Sequence, residues 1–588
     1  ALKKSHFDLL TWPGLGRFLR WRHASTAMRA LVLLVAALMV LHGLSGPRLA
    51  PKNLATVLTW LHLRGLLVLG LLLAGNLFCM SCPTILVRDL ARRFLHLERA
   101  WPPRLRHKWT GVLLFALVLF AYELFDLWAS PWWTAWLILA YFAGALLLGV
   151  VFRGAPFCQY VCPMGQFNLI SSLVSPLEVK IRDARTCAAC KTKDCLRGRR
   201  DERGDLVQKG CEMGLYQLRK VGNMDCTLRL DCARACPHDN VGLLGRLPAS
   251  ELWLDPPRSG VGRFSQRPDL AALAALYTFG ALINAFGMVS PVYELEQWLA
   301  DRLSTRSEAL VLGLIFVTGL VVAPAALVGL AAWLTRRWTG AQERLPDLMT
   351  RYAYALVPMG FGVWVAHFAF HFLTGLLTIV PVVQSALADL GWGGVGKPRW
   401  DLGAVVPSAW LFPIELGLLG LGWWGSLLVA YRLGAPRAPL AGLCAVGAVA
   451  FAHPVGGHVA HGPTDGDAGH FFAGVKHDAR VATKPVAPGG AADLAAERAP
   501  GPRAPGTSLP GAGRAARRPL RRVRAGRPRR GRGHVPLSGA TGKRRGGAVR
   551  HAGWRVGMAR ERALGSGRLP GRARDDQERG TFHRQGAL

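Results

Sequence analysis

The chain is divided by apolar runs of a length that matches a bilayer. Runs near 27–46, 55–78, 109–129, 132–152, 270–291, 308–334, 352–376 and 410–431 each come close to the ~20 residues a helix needs to cross. A ninth run, 438–452, is shorter and rich in Ala and Gly. Lipid offers no partner to a backbone amide, so runs of this kind are read as helices that satisfy themselves. The expected fold is mainly α: a polytopic helical membrane protein of about nine spans. A hydrophobic content of 51% and 20 Trp in 588 residues agree with that class.

Charge sets the expected orientation. Lys and Arg crowd 1–26, 83–108, 153–220 and 335–351, whereas 292–307 is acidic. Basic loops stay inside, so the N-terminus and the long polar insert are both expected on the cytoplasmic side. The first apolar run follows basic residues and is long enough to span, so it is expected to remain as an anchor. The expected parts are a basic N-terminus (1–26), a four-span domain (27–152), a polar insert (153–268), a second membrane part of about five spans (269–452) and a tail (453–588).

The insert carries the chemistry. Cysteines stand at Cys187, Cys190, Cys195, Cys211, Cys226, Cys232 and Cys236, the last followed by Pro237. The bacterial ferredoxin run is C-x2-C-x2-C-x3-C-P, and its last Cys crosses to the neighbouring cluster. Cys226, Cys232, Cys236 and Pro237 match that run, and Arg229 stands where its second thiolate belongs. Thiolates suit iron–sulfur or zinc, but zinc wants two isolated knuckles. A disulfide staple conflicts with the reducing cytoplasm. The insert is therefore expected to be a ferredoxin-like domain with two 4Fe-4S sites. Cys187, Cys190, Cys195 and Cys236 are assigned to one, and Cys211, Cys226 and Cys232 to the other. Arg has no lone pair to give iron, so the second site is expected to be incomplete.

Two further Cys pairs follow spans. GNLFCMSCPTILVRDLARRF follows the second run and RGAPFCQYVCPMGQFNLISSL follows the fourth. Each is a span end, an aromatic, a Cys pair, a Pro and an amphipathic helix start. A duplicated hairpin is inferred, which brings Cys79, Cys82, Cys158 and Cys162 to one membrane face. Four thiolates there make a third cluster or a soft-metal site. In the seventh run His367 and His371 share a helix face at i, i+4. Haem b ligation or a quinol proton site would fit that pair. His42, His62 and Glu415 read as packing or interface residues, and Cys444 as a small buried apolar residue.

FCMSCP, FCQYVCP and the run ending ACPHDNVG together resemble the membrane-bound polyferredoxins, the NapH/NosR/CcoG-type multi-span 4Fe-4S binding proteins. The resemblance covers roughly 10–450. It implies the bacterial inner membrane, a cytoplasmic iron–sulfur domain, and electron transfer between the quinone/quinol pool and an unidentified redox protein. It also implies a second function, redox or metal-delivery service to metalloenzyme assembly. A third reading follows from Arg229: a damaged copy with an incomplete cluster. No dinucleotide fingerprint or P-loop is present, so the chain is expected to be an electron-transfer component and not a stand-alone enzyme.

More than half of the net charge of +36 lies after residue 500. The basic balance therefore says nothing about nucleic acid, for which no binding is expected. The tail is Arg, Gly, Pro and Ala with few aromatics, which is the composition of a disordered or frameshifted segment. Truncation at Asp465 is expected to leave membrane insertion and bound iron unchanged. Membrane fractionation with an iron assay checks this, and loss of either would make the tail functional.

Overall fold

The computed structural model describes residues 7–434, apart from His96, Gly393 and Val395. The ninth run and the tail lie outside the described residues. Within them, seven helices are long and apolar enough to cross a membrane: Ala24–Ser45, Leu54–Leu73, Pro131–Val151, Pro268–Phe286, Glu308–Thr339, Leu345–Asp389 and Ser408–Gly434. The expected third span is an apolar helix too, but a short one, Trp109–Leu124. It ends early because the chain turns at Asp126, which has a φ of 45°. The Asp126 carbonyl accepts from Ala129 and Ser130, and the Ser130 hydroxyl then caps the helix that begins at Pro131.

Several of these helices bury only a strip. On Ala24–Ser45, Leu31, Leu34, Leu38 and Leu41 are all exposed. Their spacing puts them on one face, and an apolar face of that size is not stable in water. Other helices are wrapped by protein. Pro268–Phe286 and the stretch Val357–Gly375 are lined with buried residues. Trp364 donates from Nε1 to the carbonyl of Tyr277 at 2.9 Å, and Gly362 meets Gly422 on Ser408–Gly434. A Cβ at Gly362 would come within 3.0 Å of the Gly422 Cα. Small residues permit this backbone approach, the usual glue between helices in lipid.

The two hairpins repeat in outline and differ in burial. After each comes a short Cys-bearing turn, then a Cys-Pro and a helix: Thr84–Ala91 in the first copy, Pro163–Ser171 in the second. Every residue from Gly165 to Ser171 is buried. In the first copy only Thr84, Ile85 and Arg88 are. The second helix is covered because it packs into the largest apolar core. There Phe167 lies against Tyr277 and Trp364.

The polar insert has little regular structure. Strand β1 (Leu177–Ile181) pairs antiparallel with β4 (Val241–Gly245), Leu177 facing Gly245 and Ile181 facing Val241. Between them β2 (Arg199–Arg200) pairs with β3 (Leu206–Gln208). Short helices Ala184–Ala189, Asp194–Arg197 and Asp231–Ala235 hold five of the cysteine neighbourhoods together. The basic N-terminus is not a free tail. Asp8 pairs with Arg182 at 2.8 Å and accepts from the Leu243 amide at 3.1 Å.

One ion pair ties the insert to the third apolar helix. Lys108, just before Trp109, reaches Asp225 at 2.5 Å, and the side chains are 2% and 3% exposed. Lys108 also donates to the Gln159 carbonyl, while the Gln159 amide donates to Asp225 at 3.1 Å. Asp225 adjoins Cys226 and has a φ of 61°. Breaking such a pair from one side strands a buried charge. Lys108→Met is expected to cost about 3–5 kcal/mol, and Lys108→Met with Asp225→Leu to recover part of it. Thermal unfolding in detergent checks both.

Candidate metal centre

The seven insert cysteines fall into two groups in space. One cavity is lined by Cys187, Cys190, Cys195 and Cys236, with Ile181, Pro237 and Val241 as its apolar wall. Burial pushes the Cys195 thiol up to about 11, and Cys187, Cys236 and Cys190 add to the rise. The other group is Cys211, Cys226 and Cys232. Burial pushes Cys232 well above the usual thiol range, and Cys211 and Cys226 push it further. Buried Lys220 opposes them, held by the Val179 carbonyl at 2.8 Å.

Local backbone explains how thiols this close in sequence face one way. Lys193 and Leu230 both adopt left-handed φ, 52° and 61°. Each is followed by an Asp and a Cys that open a short helix, Asp194-Cys195 and Asp231-Cys232. Leu228 is left-handed as well. Such conformations cost energy in a β-carbon residue and cluster where the surroundings impose them. Backbone amides point at sulfur: Leu215 at Cys211 and Asn240 at Cys236, each at 3.4 Å. Amides directed at sulfur are one means by which proteins tune iron–sulfur potentials.

Arg229 is built into its position. Its guanidinium pairs with Glu212 and lies 3.1 Å from Asp231. Glu212 also takes Arg88 at 2.6 Å and Arg92 at 3.2 Å. Arg229, which stands where the motif has a cysteine, is therefore held between two carboxylates. The motif exposed the substitution, but nothing in the spacing pointed to Glu212 as its partner.

Cys79, Cys82, Cys158 and Cys162 lie where the two hairpins meet the insert. Burial pushes the Cys79 and Cys162 thiols well up, and thiols of the other pair push each further in the same direction. Cys158 rises by burial, with Arg88 and Arg229 pulling it back. Cys158, Cys211 and Cys226 pack around Ala155, Met213 and Leu215. Met80 packs in the cluster that holds Cys195, Cys211, Cys226, Cys232 and Cys236. The Cys211 amide donates to the Cys195 carbonyl at 2.8 Å. Contacts thus run from Cys158 through Cys211 and Cys226 to Cys195.

His367 and His371 touch, edge to face, with ring centroids 5.0 Å apart. Two rings packed together on one helix cannot supply the opposite axial positions of one haem. His62 contacts the Val57 carbonyl at 3.1 Å and the Leu376 carbonyl at 2.9 Å, which agrees with the packing role expected of it. Among the described residues no three side chains of His, Cys, Asp or Glu converge tightly enough to hold one metal ion. A structural zinc needs all its sulfurs about 2.3 Å from one point. Thiolates around a cluster each take a different iron and stand further apart.

No protein-family model and no solved structure matches this chain. It is similar to an uncharacterized protein, MJ0749, of Methanocaldococcus jannaschii, at 26% identity over 196 residues. That alignment covers 32% of this chain and 69% of the relative.

Arg229→Cys is expected to be tolerated, since Glu212 keeps Arg88 and Arg92, and Asp231 keeps Arg234 at 3.1 Å. Its melting temperature should stay within a few degrees of the parent, like a change away from any critical contact. Glu212→Gln removes the carboxylate shared by three guanidinium groups, leaving Asp89 to Arg88 and Asp231 to Arg229, and is expected to cost about 3–5 kcal/mol. Parallel thermal melts distinguish the two.

Proposed function

We propose that this chain is a membrane-bound electron-transfer protein of the polyferredoxin kind. In this reading it passes electrons between the quinone/quinol pool and a soluble redox partner. The observation that carries the reading is the cavity lined by Cys187, Cys190, Cys195 and Cys236. Four thiols meet there, three from one short stretch and the last from a Cys-Pro forty residues on, the crossed pattern of paired-cluster ferredoxins. The pairing of β1 with β4, whose Ile181 and Val241 line that cavity, supports a ferredoxin-like insert.

The donor set fits 4Fe-4S clusters: thiolate sulfur, a partly closed apolar wall, and backbone amides directed at the sulfurs. A cluster supplies one-electron chemistry at a potential set by those surroundings. Cys187, Cys190, Cys195 and Cys236 would hold one complete cluster, and Cys211, Cys226 and Cys232 would hold an incomplete one. The residues around them control charge. Lys220 offsets thiolate charge at the second site, and Leu228 and Leu230, each 2% exposed, exclude water there. The basic loops support a cytoplasmic side for the insert, and the bacterial inner membrane rests on the polyferredoxin resemblance. The metal-delivery reading would favour thiols gathered around one ion, and the described residues hold no such group. Burial of Arg229 between two carboxylates favours a chain that accommodates the arginine over a merely damaged copy.

Redox titration of the purified chain by electron paramagnetic resonance tests the reading. Two separable iron–sulfur signals are expected, one of them of the three-iron type. Cys236→Ser should abolish the signal that Cys187→Ser abolishes and spare the other. Arg229→Cys should add about one iron per chain, since three-iron and four-iron centres differ by one metal. A protein with no iron–sulfur signal after reconstitution would end the proposal.

A further inference from the structure

We propose that the rim of the cavity lined by Cys187, Cys190, Cys195 and Cys236 is the docking face for an acidic electron-carrier protein, steered by Arg185 and Lys191. The proposal rests on the electron-transfer reading for what that carrier exchanges. Among the described residues, this is the one thiol group with exposed neighbours in the chain. Cys187, Cys190 and Cys236 are flanked by Ala188, Ala189, Lys191 and Pro237, all exposed. At every described cysteine outside this group, both flanking residues are buried or half-buried. Electron exchange between proteins falls steeply with distance, so a carrier must approach a thiol group closely. This rim is where the surface lets it do so.

The rim is small and apolar at its centre and cationic at its edge. Ala188, Ala189 and Pro237 carry short side chains, which let a partner come close to the half-buried Cys190. Arg185 and Lys191 are exposed, and neither has a salt-bridge partner among the described residues. The carboxylates around them are used internally. Asp183 caps the helix Ala184–Ala189, accepting from the Thr186 hydroxyl at 2.6 Å and from the Arg185 amide at 3.3 Å. Asp239 is held by Arg20 at 3.1 Å and by Arg182 at 3.4 Å. Asp194 is half-buried in the cavity wall, next to Lys193, whose ammonium lies over the Tyr216 ring at 5.6 Å.

Two cations therefore stand uncommitted beside the opening, and the exposed carboxylates at the rim are already engaged. Exposed charge of one sign speeds encounter with a partner of the other sign more than it adds affinity. Fast, weak encounters of this kind are typical of redox proteins, which need only a small interface. An anionic bilayer is a poorer match, because lipid recognition takes clusters of about four to eight basic residues.

The test uses the full chain, purified in detergent and reconstituted with ferrous iron and sulfide without oxygen. Flavodoxin, a small acidic flavoprotein, serves as the probe, and its association is followed by biolayer interferometry. Binding at low salt is expected to weaken as salt rises. Arg185→Glu with Lys191→Glu is expected to slow association at least about tenfold, with iron content and paramagnetic signals as in the parent. Arg185→Lys with Lys191→Arg keeps both charges and should associate like the parent, which separates charge from folding. No binding, salt-independent binding, or parent-like association of the charge-reversed variant would overturn the docking face and leave the proposed function intact. An absent iron–sulfur signal would end the proposed function, while the interferometry still reads the face. Protection of Lys191 from amine acetylation by phosphatidylglycerol nanodiscs, with none by flavodoxin, would assign the face to lipid and overturn the proposal.

Discussion

Glu212 is the point where the parts of this protein are held together. Arg88 and Arg92 come from the helix after the first Cys pair, and Arg229 from the ferredoxin-type run. Arg92 also donates to the carbonyls of Gly149, Phe152 and Gly154, at the end of the second hairpin. One carboxylate thus gathers cations from two stretches of chain, one of which also grips the hairpin end, and two of these cations act on the Cys158 thiol. Without it, Arg88 would keep only Asp89 and Arg229 only Asp231, and Arg92 would be left to backbone carbonyls. Lys108 and Asp225 do the same work on the other side of Cys226, with a single pair.

This arrangement says why the Arg229 position tolerates arginine. A cation introduced beside a thiol site would ordinarily either flee to water or compete with the metal. Here a carboxylate already committed to two arginines takes a third, and Asp231 takes its other edge. The local charge stays near balance. The same carboxylates would be less well matched if a cysteine stood at that position, so the network and the substitution belong together.

The membrane helices were legible because each depends on composition over twenty residues, and an error of two or three residues does not alter the result. The exception, Trp109–Leu124, was cut short by one local event, the left-handed Asp126. No hydropathy sum registers a backbone angle. The thiol groups were legible from spacing, since a tight loop limits where its sulfurs can point. Glu212 and Lys220 were not. Each acts across a contact between stretches far apart in sequence, and as single polar residues in polar or mixed surroundings they carry no pattern. The N-terminal segment was read only as a basic stretch on the inside, because its charges fit the inside rule. Its docking depends on one acid, Asp8, whose partners lie beyond residue 180.

That contact has a consequence for biogenesis. Asp8 finds the Leu243 amide 235 residues downstream. At a synthesis rate of about 5–20 residues per second, the segment waits on the order of ten to fifty seconds for its partner to leave the ribosome. During that interval four apolar helices are inserted, and the segment must stay on the side where the insert will emerge. A first helix inserted the other way round would strand Asp8 across the bilayer from Arg182. The late contact can therefore close only on chains whose first helix went in the right way round.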